Sequence, residues 1–535
     1  MTLSLTFHGA GRTVTGSCME FTSAGTRLLV DCGMFQGSRS LEALNGTSTL
    51  EHPARIDAVV LTHAHIDHSG LLPRLVAQGF SGPIWCTQET ADLLEFMLAD
   101  AGRIQESEAE HRNRRRDRAG DKAVEPLYTE ADALAAWRMA RPVPLEQWFE
   151  PAPGFRARLW NAGHILGAAS VELEGEGTRV MCSGDVGPEN KAFLPDPEGP
   201  CCFDHVISES TYGDREREKV TIAERRQLLE AEINAARTRG GNLIIPTFAL
   251  ERTQELLLDI AMLSHEGRIG NAMVFVDSPL ANRATSVFAR HLSDLEDTGG
   301  IDVFRHPSIH YVNDVAESVR LNSISGAIIL AASGMCEAGR IRHHLFHNLA
   351  RRDSTVLFVG FQAQGSLGRV ILDGAERVRI SGKDVVIRAQ IRRIDSYSAH
   401  ADQSELLEWI AGRGPINGSL LLDHGEADSI EALRRLAESR GLAPSIIAPE
   451  IGETYELAPA TPAKRTRTGP EWIRRALGRD WQNSYADLAT GLKRRLEHIR
   501  DAEAREEAIA AMRKVLDSYT QFREAKKASH GNGVA

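Results

Sequence analysis

The chain has little that would tie it to a membrane or to an oxidising compartment. In 535 residues no apolar run approaches the roughly 18 needed to cross a bilayer, and Met1 to His8 already alternates like a strand, with no basic start before an early apolar stretch. Seven cysteines include no C-x-x-C arrangement, which argues against a disulfide framework and against a cysteine zinc module. Adjacent Cys201 and Cys202 read as two buried or half-buried thiols. No internal repeat or low-complexity segment stands out. A soluble cytoplasmic protein is the expectation.

Positive charge is also short overall. The net charge is −11, yet from Thr461 to Ala535 there are 16 Lys+Arg against 10 Asp+Glu, so this tail carries +6 and the rest −17. A second basic block runs from Arg112 to Arg118. Local basic patches matter more to phosphate binding than the global sum, although both blocks also suit solvated helix faces. Length suggests two to four domains, and 42% hydrophobic content is ample for real cores.

What the chain does have is a dense run of metal-ligand residues. His63-Ala-His65-Ile-Asp67-His68-Ser-Gly directly follows the strand-like Ile56-Asp57-Ala58-Val59-Val60-Leu61-Thr62. Four such residues within six positions are too close and too mixed in type for one tetrahedral centre, so two adjacent ions are the natural reading. His63 and His65 can serve one ion while Asp67 and His68, about half a helical turn on, address the other. A histidine-rich surface turn is the bland alternative, and it does not explain the apolar strand before or Gly70-Leu71-Leu72-Pro73 after. Two more candidates also end strand-like runs. His164 closes Asn161-Ala-Gly-His164 after Phe155 to Trp160, and Asp185 closes Ser183-Gly-Asp185 after Thr178 to Cys182. A carboxylate such as Asp185 can bridge two cations with its two oxygens.

In this order the motifs resemble the metallo-β-lactamase superfamily, and more closely its β-CASP branch of RNA-processing nucleases, from about Leu3 to about Leu457. The resemblance implies His63, His65 and His164 on one zinc, Asp67, His68 and His424 on the other, and Asp185 shared. Asp31, in Leu29-Val-Asp31-Cys-Gly33, matches a motif carboxylate that orients a ligand. Glu209-Ser-Thr-Tyr-Gly213, Ser396-Tyr-Ser-Ala-His400-Ala-Asp402 and Leu422-Asp-His424-Gly-Glu426 match the three branch motifs. They imply that His400 protonates a leaving oxygen with Glu209 beside it. Without that frame Glu209 is a turn cap, His400 a residue ahead of a helix from Asp402 to Ala411, and His424 a packed strand end.

The pattern of runs predicts an α/β protein. Short strands dominate to about Ser208, interrupted by a helical stretch around Thr87 to Ala140. After Glu209 apolar runs at Asn242 to Thr247, Ala272 to Asp277, Ala327 to Ala332 and Thr355 to Gly360 alternate with amphipathic stretches, as in a doubly wound parallel sheet. Strands return from about Gly374, including Asp384 to Ile394 and Ser419 to Leu422. The pattern reads as one domain inserted into another, and with the resemblance it implies a metallo-β-lactamase αββα sandwich (1–208 and 374–460), an inserted β-CASP domain (209–373), and a basic helical tail (461–535). Thr461 to Gly469 reads as a linker. Tyr485, Leu488, Leu492, Leu496 and Ile499 form an apolar stripe that would dock on the body, on a second copy or on a protein partner.

Small-residue turns ending strands of the insertion are candidates for holding a phosphate backbone through exposed N–H groups. They contain Ser333, Gly334, Gly365, Ser366 and Arg369, with Arg252 and Arg340 as further phosphate contacts. The resulting expectation is a ribonuclease with two zinc ions per chain, hydrolysing single-stranded RNA through a metal-activated hydroxide, with Asp67, Glu209 and His400 in the catalytic group. The Gly9 to Ser17 segment looks more like the cleavage-factor endonuclease subgroup than the ribonuclease J subgroup, favouring internal cutting. Four alternatives remain. They are a 5′-exoribonuclease, a DNA nuclease of the branch, which would typically carry valine at 424, a small-molecule metallohydrolase, which has no need of the insertion, and a non-catalytic scaffold, which would have lost ligands.

Overall fold

Strand alternation builds two facing sheets. The computed structural model describes residues 2–47, 50–116, 123–296, 299–360, 362, 366–473, 492, 496 and 498–531. One sheet has eight strands, in the order Thr461–Arg467, Thr454–Ala458, Leu3–Phe7, Met19–Ser23, Thr26–Val30, Ala58–Val60, Ile84–Cys86 and Ala140–Pro142. The other has six, ordered Ser445–Ile447, Ile416–Asp423, Phe203–Glu209, Thr178–Cys182, Ala169–Gly175 and Phe155–Asn161. Their inner faces share one apolar layer, in which Leu5, Phe7, Phe21 and Val60 meet Phe155, Leu159, Val171 and Leu421. Outward-facing residues of each sheet bury against helices. Leu29, Val59 and Leu61 cluster with Leu72, Leu75, Leu94 and Leu98 on one side, and Val206, Leu420 and Leu422 with Leu406, Ile410, Ile430 and Leu433 on the other. The result is an αββα sandwich.

The insertion is a six-stranded sheet in which every pairing is parallel, ordered Ile309–Tyr311, Val274–Val276, Ile328–Ala331, Leu243–Pro246, Thr355–Val359 and Gln390–Ile394. Successive side chains go to opposite faces, and both faces are covered. Ile244, Ile329, Val356 and Phe358 pack with Ile341, Leu345 and Ile371, while Leu243, Ile245, Leu330 and Leu357 pack with Ile233, Leu256 and Phe288. Burial on both faces explains why these strands read as continuous apolar runs.

Three sequence expectations change here. The run Asp384 to Ile394 is not one returning strand. Lys383–Val386 forms a hairpin with Arg377–Ile380, and Gln390–Ile394 joins the inserted sheet beside Thr355–Val359. The chain turns between them because the N–H groups of Arg388 and Ala389 both donate to the carbonyl of Leu349. Nor is Thr461 to Gly469 a linker. Thr461–Arg467 pairs antiparallel with Thr454–Ala458, Ala463 N–H donates to Ser419 Oγ at 2.8 Å, and Arg465 pairs with buried Glu453 at 2.6 Å. Cys201 and Cys202 are exposed rather than buried, while the other five cysteines are buried and free.

A second unit, Asp480–Ala535, contains the helix Ala502–Gly531. Tyr485 and Leu488 of the apolar stripe, and Asp117 to Lys122, which include the end of the basic block, lie outside the described residues. Arg112 and Arg114 pair with Glu108 and Glu110 one helical turn away, so that part of the block is locally neutralised. Among the described residues no helix is long and apolar enough to cross a membrane.

Ile473 is 2% exposed, in a small cluster with Phe35, Leu44 and Ile451. Of two shortened chains, the one ending at Ala460 should therefore be less stable than the one ending at Arg479. Loss of Ile473 burial alone amounts to about 1.5–3 kcal/mol. Equal denaturation midpoints in urea would show that residues 461–479 add nothing to the sandwich.

Candidate metal centre

The loops at one end of the sandwich converge on a buried group of imidazoles and carboxylates. His63 leaves the strand Ala58–Val60, and the single helical turn Ile66–Ser69 carries Asp67 and His68. This turn sits close because position 33 is glycine. A Cβ there would lie 1.6 Å from the carbonyl oxygen of Asp67. Gly187 does the same for His164, since a Cβ would meet the carbonyl of Gly163 at 1.9 Å.

Three overlapping groups of ligand atoms result among the described residues, the third made of Asp185, Glu209 and His424. In the first, His65 Nδ1 lies 3.1 Å from both His63 Nε2 and His164 Nε2, and Asp185 Oδ2 is 3.7 and 3.6 Å from those two Nε2 atoms. In the second, His68 Nε2 is 3.2 Å from His424 Nε2, with Asp67 Oδ2 3.7 Å from the latter. Asp185 Oδ1 faces this second group, 3.2 Å from His68 Nε2 and 3.3 Å from His424 Nδ1. It is buried and has no hydrogen bond of good geometry. Tetrahedral zinc with nitrogen ligands at about 2.0–2.1 Å would place those nitrogens about 3.3 Å apart. The spacing and the donor set thus fit a divalent cation.

The other ring nitrogens are committed elsewhere. His68 Nδ1 lies 2.7 Å from Asp31 Oδ2, His63 Nδ1 3.1 Å from Thr62 Oγ1, and His164 Nδ1 2.8 Å from the carbonyl of Ala399. These partners fix which nitrogen offers its lone pair to the cluster. Asp31 itself accepts from Thr62 N–H at 2.8 Å, from Thr62 Oγ1 at 3.0 Å and from Ser17 Oγ at 3.1 Å. Burial holds His63 and His164 well below the ordinary imidazole range and His65 down to about 4, so all three are neutral, as metal ligands must be. Burial also opposes charge on His424, but the Asp185 and Asp67 carboxylates outweigh it and push it up to about 9; Asp185 and Asp31 likewise raise His68. Asp31 and His424 both have positive φ, 63° and 44°, a conformation that Asp and His tolerate better than most side chains.

Over 442 residues the chain is 36% identical to a ribonuclease of Thermus thermophilus, covering 81% of this chain and 95% of that protein. It matches the metallo-beta-lactamase superfamily over residues 11–220, the Beta-Casp domain over 253–371 and the Zn-dependent metallo-hydrolase RNA specificity domain over 384–449. The chain belongs to the metallo-beta-lactamase superfamily, in its Beta-Casp branch. It is also 30% identical over 479 residues to the transcription termination factor FttA of Cenarchaeum symbiosum, covering 85% of this chain and 71% of that protein. An RNase J-like protein of Methanocaldococcus jannaschii is 28% identical over 427 residues, covering 79% and 92%.

The Beta-Casp motifs complete the rim. Glu209 ends the strand Phe203–Glu209, opposite Asp423 on the parallel neighbour Ile416–Asp423, which is how His424 comes beside it. The Glu209 carboxylate is fully buried and accepts from Val186 N–H at 2.6 Å and Thr211 N–H at 3.3 Å. His400 Nδ1 lies 3.3 Å from Glu209 Oε1 and 4.0 Å from Asp185 Oδ2. Burial opposes a charge on His400, yet Glu209 prevails and raises its pKa. Asp402 caps the helix Gln403–Gly412 in a reciprocal pair with Glu405, which fixes where the His400 segment ends.

The insertion's candidates fare differently. Ser333 and Gly334 follow the strand Ile328–Ala331. Ser333 Oγ donates to the Ala338 carbonyl, and the Gly334 carbonyl accepts from Gln362 Nε2 at 2.9 Å. Ser366 caps Leu367–Leu372, and Gly365 lies outside the described residues. Each of the three arginines has a partner within the protein. Arg340 is held by Asp277 at 2.5 Å and by the carbonyls of Val312 and Asn313, Arg369 by Asp373 at 2.9 Å, and Arg252 donates Nε to the carbonyl of Tyr397 at 2.9 Å. Thr62, Ser17 and Tyr212 escaped the sequence reading. Tyr212 places its ring edge-on to His400, centroids 5.8 Å apart. Only Thr62 carried a signal, as the β-branched residue between strand and His63.

Asp31→Ala should cost about 3–5 kcal/mol in chemical denaturation, because it leaves His68 Nδ1 and the Thr62 N–H buried without a partner. A loss under about 1 kcal/mol would mean that water replaces the carboxylate.

Proposed function

We propose that this protein is a zinc-dependent ribonuclease that cuts single-stranded RNA internally. The observation that carries the reading is Asp185, whose two oxygens face two separate ligand clusters with His400 at the rim. His63, His65 and His164 would hold one zinc, Asp67, His68 and His424 the other, with Asp185 shared. Two zinc ions, when bound, would activate water at neutral pH and offset the charge that develops on the scissile phosphate. His400 is the general acid. With Nδ1 turned to Glu209, its Nε2 carries the proton delivered to the departing ribose oxygen. Glu209 keeps that imidazole charged and oriented. The insertion provides a wall for a flexible phosphate backbone, and a 2′-hydroxyl gives the protein a means of telling RNA from DNA. The RNA-named relatives and the match to an RNA specificity domain support RNA over a small-molecule substrate. Seven cysteines, all free among the described residues, suit a cytoplasmic setting, and the C-terminal unit is the candidate surface for a second copy or partner.

Purified protein should contain two zinc equivalents by elemental analysis, and stripping the metal should abolish cleavage. One equivalent with full activity would end the two-metal reading.

His400→Ala should slow cleavage of end-labelled RNA about 10²–10⁴-fold with zinc content intact, whereas His65→Ala should lose metal as well. Equal zinc loss in both would make His400 a ligand. Matched single-stranded DNA should be cut far more slowly than RNA. Circular RNA left intact while linear RNA is degraded would move the assignment from endonuclease to 5′-exonuclease.

A further inference from the structure

Two consecutive residues of the insertion reach the loops beside the metal centre. Glu251 stands immediately before the helix Arg252–His265. Its carboxylate is buried and pairs with Lys191 Nζ at 2.7 Å, and it accepts from Leu166 N–H at 3.3 Å. Lys191, buried in the body, also donates to the backbone carbonyl of His164 at 2.6 Å. Residues 164 to 166 are thus gripped from both sides by an ion pair whose halves come from different domains. Arg252 adds a second route, because it holds the Tyr397 carbonyl, two residues before the Ala399 carbonyl that faces His164 Nδ1.

Neither Lys191 nor Glu251 belongs to a ligand cluster. Stability is a poor explanation for them, since a buried ion pair is at best near neutral against apolar packing. Glu251 moreover adopts φ 70°, ψ −66°, a conformation that suits glycine and is strained for any residue with a Cβ. Such strain persists where the surroundings enforce it, commonly at functional sites. A role in placing His164 accounts for the burial, the pairing and the strain together.

We infer that the Lys191–Glu251 pair is an interdomain latch that positions His164, so that the metal on His164 is held tightly only while the insertion is seated on the body. This rests on the proposal that His164 is a metal ligand. Both are positioning residues. Lys191 sets the height of the His164 backbone, and Glu251 makes that setting depend on the inserted helix. Any movement of the inserted helix that separates the pair also loosens the ligand.

The test uses the full-length zinc-loaded protein and a chelator that reports metal release. Lys191→Met combined with Glu251→Gly removes both charges and the backbone strain at once. The metal-stripped double variant should melt no lower than the metal-stripped parent. One zinc equivalent should nevertheless be held about 10–100-fold more weakly, with the other unchanged. Should the double variant fail to fold, Glu251→Gln, which can still accept from Leu166, should show the same selective loss. Release matching the parent, or equal weakening of both zincs, would overturn the latch. His164→Ala retaining both zincs would instead refute the ligand assignment beneath it.

Discussion

Imidazole lone pairs brought within 3.2 Å of one another, out of water, repel unless something positive lies between them. That constraint organises this molecule. His63, His65, His164, His68 and His424 converge under burial that excludes solvent. Asp185 is the counter-charge common to both groups, with one oxygen turned to each. Around them, nearly every neighbour fixes a donor direction: Asp31 and Thr62 hold the rings of one segment, Ala399 another, and Glu209 the rim. Protons can fill the gap on the His68 and His424 side in the metal-free protein, where carboxylates favour them. On the His63, His65 and His164 side burial dominates and favours the neutral rings, whose lone pairs suit a metal cation.

Much of this was legible without coordinates, because metal chemistry restricts residue types and strand ends restrict spacing. His63 to His68 cannot be rearranged without losing the pattern, and His164 and Asp185 follow strands of plain alternation. The parallel insertion announced itself by apolar runs that need cover on both faces. What stayed hidden depends on where side chains meet across the fold. Arg340 and Arg369 look free in a string of letters, yet each has a carboxylate waiting, one of them 63 positions away. Thr461 to Gly469 is basic and polar, so nothing local marks it as a strand. It is one because the edge left by Thr454–Ala458 offers unpaired backbone groups.

The insertion's part in the site is likewise set at a distance. Its helix Arg252–His265 is almost wholly buried, with Glu255 and Asp259 pairing with Arg225 and Asp259 accepting from Tyr397 Oη. A helix so constrained is a rigid lever, and Glu251 and Arg252 stand at its end. Two domains that could have met through an apolar seam meet here also through charged and hydrogen-bonded groups. Such contacts have steep distance dependence, so small displacements have discrete effects.

The register of the body's strands bears on how the protein comes into being. Leu3–Phe7 is completed by Thr454–Ala458, and Phe203–Glu209 by Ile416–Asp423. Neither sheet can close while the chain is still emerging, because partners lie some two hundred to four hundred and fifty positions apart. Folding of the sandwich therefore waits on translation of nearly the whole body, and it belongs to the slow, non-local class. His424 arrives with one of the last strands of the body, so the centre stays incomplete until Ile416–Asp423 has been made and has paired with Phe203–Glu209.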